Sequence, residues 1–582
     1  MMAAGKTTPP GDGRDARQDG PAGARPADGD PITEAHRAWR DGAYRAALGE
    51  VGERRDFVTD IGIAVEPLYT PHSLADRRFD YLKDVGFPGA FPFTRGDDPA
   101  MYRRAPFIVS AYTGFGEAPA CNRRLKRLVE LGVEQLLLAF DLPTQCGYDS
   151  DDVMAAGEVG RVGVAIDTLA DMEDLFEDLP LDTVKRVGCL GNAIGPIVTA
   201  MFVALAEKQG LAPADFVLNL QNDPLKEYLA RGTQILPVAP SLKLAADPVS
   251  WCVTHAPHWS PLTVCYNHLN AGGAGSSMGA AIALANARAY LDDLLARGHS
   301  IDEVAPLLHM FADERHDFFV SVANMRALRK VWAHLMRDAY GATTDRAMAL
   351  ATTVYGHGQE ALAEPINNLV RIAFGTLAYV MGGASYVYIA SYDEAVGIPS
   401  EETVRAAVRT QQIIAHEHGF TDTIDPLGGS WLVESLTIDI ERQLRDGLSA
   451  IEAMGGALAI IDNGYGRKLM SEGAGRRQKR IDTGARPWVT VNLHRQEPNV
   501  PNTAFRIDPA TGDRQIARLA AVKARRDGAR VAAALAEIDR ACAEGRNVME
   551  PTLEAVRAYA SIGEIVDVWR RRYGEFQPST AF

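Results

Sequence analysis

Between about residue 105 and residue 392 the sequence repeats one unit eight times: a short apolar run, then a stretch with helical spacing. The runs are Phe107–Thr113, Gln135–Pro143, Arg186–Asn192, Phe216–Asp223, Leu262–His268, Leu308–Asp313, Ala349–Tyr355 and Ser385–Ser391. Near-continuous apolar runs of this length suit parallel strands buried on both faces. Between them, Ile194, Ile197, Val198, Met201, Phe202 and Leu205 recur at the spacing of one helix face, and Gly210 is placed to end that helix. Eight strand–helix units predict an α/β fold, a (β/α)8 TIM barrel over residues 105–431.

Residues 1–30 are rich in Gly, Ala, Pro and Asp and nearly lack large apolar side chains, so a disordered tail is expected. Residues 31–104 read as an N-terminal extended and helical arm. Residues 432–582 read as a helical C-terminal region and linker, with amphipathic or Ala-rich helices over Ile438–Met454 and Arg514–Glu544 and an extended connector over Asp482–Pro509.

The formal net charge of -15, with no Lys/Arg block, argues against a nucleic-acid partner. The basic clusters at 476–480 and 570–572 read as solvated helix faces. Six scattered cysteines form no CxxC pair and no disulfide framework, which fits a reducing compartment. There is no apolar run long enough for a membrane span. A soluble, cytoplasmic protein without a membrane partner is expected.

In a barrel of this kind the chemistry sits where strands end. Asp141, Asn192, Gln221, Asn222, Asp223, Asn267, His268, Asp313 and Tyr355 all fall at that edge. Each has a plain reading, as a helix cap or turn residue, beside the catalytic one. The glycine-rich stretch Ala271–Ser277 precedes a helix and reads as a tight turn or, at lower weight, a phosphate cradle. His255 and His258 flank Pro257, and no metal site is expected there. The GxxxxGK[ST] phosphate-loop motif is absent from the sequence. The residues alone lead to a barrel enzyme whose polar mouth contains Tyr112, Gln221, Arg231 and His268.

Longer strings carry a resemblance. They are Pro92–Gly96 (PFTRG), Ala139–Gln145 (AFDLPTQ), Gly147–Asp151 (GYDSD), Gly157–Asp167, Gln221–Glu227 (QNDPLKE), Asp393–Ala395 (DEA) and Ile424–Ser430 (IDPLGGS). In order, from about residue 60 onward, they resemble the methylmalonyl-CoA mutase family. The resemblance implies a radical carbon-skeleton rearrangement of an acyl thioester with adenosylcobalamin as cofactor. It assigns Tyr112, Arg231 and His268 catalytic roles: Tyr112 packs on substrate and helps drive out the adenosyl group, Arg231 holds a substrate carboxylate, and His268 bonds near the thioester carbonyl. Gln221, Met101 and Asn219 join them as substrate contacts. Phe140, Ala230, Glu394 and Gly358 are matched to positions facing the cobalamin.

The departures are as informative. Where the family carries donors for the CoA thioester, this chain has Ala105, Ile108, Ser110, Leu137, Asn219, Leu307 and His309. Arg103, Arg104 and His309 are candidates to replace them. The cobalt-ligating string DxHxxG occurs nowhere in the sequence, so the resemblance implies a separate small cobalamin-binding subunit, and no metal ligand is assigned here. Two alternatives stand beside the acyl-CoA reading. One is a mutase acting on a carrier-protein thioester or free acid. The other is a non-catalytic scaffold.

Overall fold

The computed structural model describes residues 30–313, 317–356, 361–498 and 507–577. Eight parallel strands form a nearly closed barrel: β1 (Ile108–Thr113), β2 (Gln135–Leu138), β3 (Arg186–Leu190), β4 (Leu218–Gln221), β5 (Leu262–Cys265), β6 (Leu308–Ala312), β7 (Thr352–Gly356) and β8 (Tyr386–Ile389). Their order is β4-β3-β2-β1-β8-β7-β6-β5. An isolated bridge between Asn219 and Ser260 brings the β4 and β5 edges together. Seven of the expected runs contain their strands, shortened at one or both ends, and the seventh strand starts three residues late and runs one residue past its run, to Gly356. The largest change is at the fifth run, where Tyr266–Leu269 winds into a helical turn. His268 therefore stands on a helix just past β5 rather than on the strand.

The strands are short because their polar ends serve the turns. Asp141 leaves β2 to cap the helix Leu142–Gln145, accepting from the Thr144 amide at 3.0 Å and from the Gly160 amide at 2.6 Å. Asp223 accepts from the Cys265 amide and the Tyr290 hydroxyl, and Asn222 donates to the carbonyls of Ala245 and Pro261. These polar residues hold loops, as the plain reading has it. The helix Gly195–Lys208 is buried along almost its whole length, and Gly210 follows it with φ of 75°.

The arm covers the foot of the barrel, the end where strands begin. Met101 lies there: its thioether occupies the space a Cβ on Gly96 would take and lies close to Gly383, just ahead of β8. The neighbouring Tyr102 hydroxyl donates to the Ala384 carbonyl. Arg103 donates to the Asp422 carbonyl and Arg104 pairs with Asp98, so both cations are engaged at this end.

The C-terminal region returns over the barrel. The helix Trp431–Ala453 packs on Phe318–His334, where the buried Arg326 bridges Asp425 and Glu434. The IDPLGGS string thus supplies one end of a buried ion-pair network. The expected Arg514–Glu544 helix is two helices, Thr511–Arg525 and Gly528–Ala543, separated where Asp527 caps the second. Asp149, from the GYDSD string, receives Lys523 at 3.0 Å, the Ser561 hydroxyl at 2.6 Å and the Gly563 amide at 2.7 Å. Gln515 reaches Asp167 at 2.8 Å and Asp171 at 3.0 Å. Two of the resemblance strings are therefore docking points for the C-terminal helices.

Candidate active site

The C-terminal ends of the strands open into a cavity of about 1210 Å³, lined by Tyr112, Tyr355, Glu394, Arg124, Arg161 and Thr511 among others. Strand alternation explains who faces it. Residues two apart on a strand share a face, so Tyr112 on β1, Tyr355 on β7 and Glu394 just past β8 meet above the barrel interior. The Tyr112 and Tyr355 rings cross edge to face at 6.1 Å, and the Tyr355 ring crosses Phe311 at 6.5 Å. The Tyr355 hydroxyl donates to Glu394 Oε2 at 2.6 Å. Tyr355 was visible as a strand-end polar residue, but nothing in the sequence alone tied it to Glu394.

Burial pushes the Tyr112 hydroxyl up to about 12, with Arg231 drawing it down and Glu394 pushing it further up. At neutral pH Tyr112 is therefore a proton-bearing donor, and both charges act on it. Arg231 follows the 3-10 helix Leu225–Tyr228, and its side chain is 27% exposed. Its nearest acid is Glu227, 3.9 Å away, beyond hydrogen-bond range. Glu227 is already bound to the buried Lys226 and to the Thr233 amide. Burial pushes the Glu227 carboxyl up, but Lys226 and Arg231 more than offset this and hold it below the usual range. Arg231 Nη1 is buried and has no hydrogen-bond partner among the described residues. The protein thus gives Arg231 a distant counter-charge and leaves a nitrogen for another acceptor.

Gln221 ends β4, and its Oε1 accepts from Asn192 at 3.2 Å, which orients its amide. Asn219, two residues lower on the same face, donates to Thr263 at 3.3 Å. His268 is half-buried on the turn beyond β5. Ala230 is half-buried beside Arg231 and close to the Gly272 backbone. Phe140 has no exposed surface, and the Gly163 backbone lies against its carbonyl group. Gly358 lies outside the described residues. Met101 sits at the foot, the opposite end from Tyr112. Of the residues singled out from the sequence, Tyr112 and Glu394 line this cavity, Arg231 acts on the Tyr112 hydroxyl, and Gln221 and His268 stand at the end of β4 and just past β5.

The interior below the mouth was not read from the sequence. Many of the inward positions are polar: Ser110, Gln135, Arg186, Asn219, Thr263, His309, Thr353, Tyr386 and Tyr388. They alternate with apolar residues facing the helices, and this period-two signal was hidden inside runs read as simply apolar. The other histidines are bound locally. His255 stacks on Trp251 at 4.2 Å, and His258 lies 3.0 Å from the Phe216 carbonyl.

The family model described as methylmalonyl-CoA mutase matches residues 58–575. The 2-hydroxyisobutanoyl-CoA mutase large subunit of Aquincola tertiaricarbonis is 37% identical over 552 residues, covering 94% of this chain and 97% of that one. The methylmalonyl-CoA mutase of Cereibacter sphaeroides is 36% identical over 547 residues, covering 93% of this chain and 76% of its own length. The Escherichia coli methylmalonyl-CoA mutase is 35% identical over 509 residues, 87% of this chain and 70% of its own length. This chain belongs to the methylmalonyl-CoA mutase family of cobalamin-dependent isomerases.

Proposed function

We propose that this chain is the substrate-binding subunit of a radical carbon-skeleton mutase. Its substrate is a carboxylated acyl group of methylmalonyl or succinyl type, carried as an acyl-CoA or related acyl thioester. A separate small cobalamin-binding subunit completes the enzyme. The observation that carries this reading is the convergence of Tyr112, Arg231 and Glu394 at the mouth, close enough for both charges to act on the Tyr112 hydroxyl. Support for two subunits comes from the 37% identity to a relative named as a large subunit.

The mouth suits the cofactor, because its open cavity is walled by Glu394 beside the Tyr112 and Tyr355 rings. Glu394 and Ala230 have the exposed surface to hold the corrin face. Phe140 lies beneath the wall and supports it. When bound, adenosylcobalamin supplies the homolytic bond cleavage that begins the rearrangement. The chain's own residues do the rest. Arg231 offers a planar guanidinium that can grip a carboxylate at two points. Tyr112 keeps its proton and donates it as a hydrogen bond on the substrate side. Gln221, oriented by Asn192, turns its amide nitrogen to the same space, and His268 stands opposite for the acyl carbonyl. The crossed rings of Tyr112, Tyr355 and Phe311 form an apolar wall that keeps water from reactive species.

A second reading, a substrate without CoA, is favoured by one observation. Asn219 and His309, two positions where the family's CoA donors are replaced, are buried and bonded to Thr263 and Thr353. The test of the main proposal is reconstitution. The chain, a DxHxxG-bearing small subunit and adenosylcobalamin are combined with carboxylated thioesters and acids side by side. Product isomer and a substrate-dependent paramagnetic signal are expected, and turnover by the isolated chain would contradict the two-subunit assignment.

A further inference from the structure

We propose that Arg186, His309 and Tyr386 set the substrate class by closing the bore of the barrel, so that the enzyme acts on a compact carboxylated acid rather than on a CoA thioester. The inference rests on the mutase reading above and, for the substrate, takes up the second reading given there, a substrate without CoA.

The three side chains come from strands that are not neighbours. β3 and β8 are three strands apart around the barrel, as are β3 and β6, and β6 and β8 are two apart. Yet the Arg186 guanidinium carbon lies 4.0 Å from the centre of the Tyr386 ring, and the His309 ring lies 5.3 Å from the same ring. Side chains from such distant strands can meet only on the axis. Tyr386, the first residue of β8, is half-buried and faces the foot. The Arg186 guanidinium stacks on its ring and bonds to Ser260 at 3.3 Å.

The lining above this contact is filled, not wet. A water-lined channel leaves its polar groups exposed. Here Ser110, Gln135 and Tyr388 are 0% exposed, His309, Thr263 and Thr353 1%, and Asn219 4%. Neighbouring strands tie them together around the wall: Ser110 to Gln135 at 3.3 Å, Asn219 to Thr263 at 3.3 Å, and His309 to Thr353. No tube remains for a flexible arm.

Arg186 is an unusual plug. It is 7% exposed, its Nε is buried without an acceptor, and no carboxylate pairs with it among the described residues. A buried guanidinium without an acid is costly for stability, and stacking on an aromatic face offsets only part of that cost. Burial, helped by the Arg186 charge, holds the His309 imidazole well below its ordinary pKa, so that ring stays neutral and the pair does not repel. Cheaper apolar residues could fill a core. Arg186 is long enough to cross the axis.

A carrier arm longer than the site is deep has two ways to reach solvent, down the bore or out through the mouth. The bore is shut, and the mouth is where the proposed cobalamin face sits. A substrate contained within the cavity between them avoids both obstacles. Met101, at the foot, lies beyond the plug and outside reach of such a substrate.

The test uses the reconstituted complex and free coenzyme A as probe, with the Arg186→Ser/Tyr386→Ser double variant to open the bore. Wild type is expected to show no coenzyme A binding at 1 mM by calorimetry, and the variant to bind it at least tenfold more tightly. Wild-type kcat/KM for a free methylmalonate- or succinate-type acid is expected to exceed that for its CoA thioester at least tenfold. If the variant does not fold, the wild-type comparison alone decides. Tight coenzyme A binding by wild type, or preference for the thioester, overturns this proposal while leaving the mutase reading intact. Absence of a paramagnetic signal with both substrates sinks the mutase reading, and the coenzyme A titration still judges the plug.

Discussion

Replacing Arg231 by Gln separates a substrate-binding cation from a structural one. The structure sets the magnitude on both sides. Glu227 keeps its bond to Lys226 and to the Thr233 amide when Arg231 is lost, and the 3.9 Å contact to Arg231 is too long for a hydrogen bond. The fold should therefore lose little, about 1 kcal/mol or less. A substrate carboxylate about 4 Å from the guanidinium at an effective dielectric of about 20 interacts by roughly 4 kcal/mol. The Arg231 side chain is 27% exposed, so solvent screens part of this, leaving about 2–3 kcal/mol, or roughly 30- to 150-fold in kcat/KM. The assay compares kcat/KM for a carboxylated acyl substrate and an uncharged branched acyl substrate of similar size, in wild type and Arg231→Gln, alongside thermal melting. The expected result is a selective loss for the carboxylated substrate with an unchanged melt. Equal losses for both substrates, wild-type preference for the uncharged one, or a large fall in melting temperature would refute the reasoning and return Arg231 to a structural role.

Tyr112→Phe keeps ring volume and the edge-to-face contact with Tyr355, so the melt should hold while turnover falls roughly 100-fold, about 3 kcal/mol; an unchanged rate in steady-state assays removes the hydroxyl from the chemistry. Gly473 packs against the loop leading from His268, where an added Cβ would lie 1.9 Å from the Gly273 carbonyl oxygen. Gly473→Ala should therefore cost about 1–3 kcal/mol and lower the onset of thermal unfolding, and a neutral outcome would mean that the contact yields. Burial and the neighbouring Asp171 push Asp167 up to about 8, well above its unfolded value of about 3.9. Between those values the unfolded chain has released a proton that the folded chain retains, so this group's contribution to stability falls as pH rises. Relative to Asp167→Asn, wild type should become less stable from about pH 5 to pH 8, measured by melting temperature at each pH; a difference that stays flat contradicts the assignment.

The barrel was legible because buried parallel strands cannot hide their apolar runs, and all eight were found. Strand ends were less legible, since the same Asp or Asn can continue a strand or cap a helix. Asp141 and Asp223 resolve to turns, whereas Gln221 and Tyr112 resolve to the mouth, and only the three-dimensional partners decide. Arg231 was recognisable through its motif, but its distant pairing with Glu227 depends on Lys226 taking the nearer place. The plug of Arg186, His309 and Tyr386 was invisible, because it is made by residues on β3, β6 and β8 whose meeting depends on barrel closure. The roles of GYDSD and IDPLGGS as anchors for the C-terminal region were equally hidden, since their partners lie 99 to 414 positions away in the chain.

The most direct measurement of the central claim is electron paramagnetic resonance on the reconstituted complex of this chain, a DxHxxG-bearing small subunit and adenosylcobalamin, recorded before and after adding carboxylated acids and thioesters. The account predicts a signal that appears only with substrate and only in the two-subunit complex, accompanied by the rearranged product and strongly reduced in Tyr112→Phe. A stable complex that gives neither signal nor isomer with any carboxylated substrate would contradict it and favour a scaffolding role for the chain.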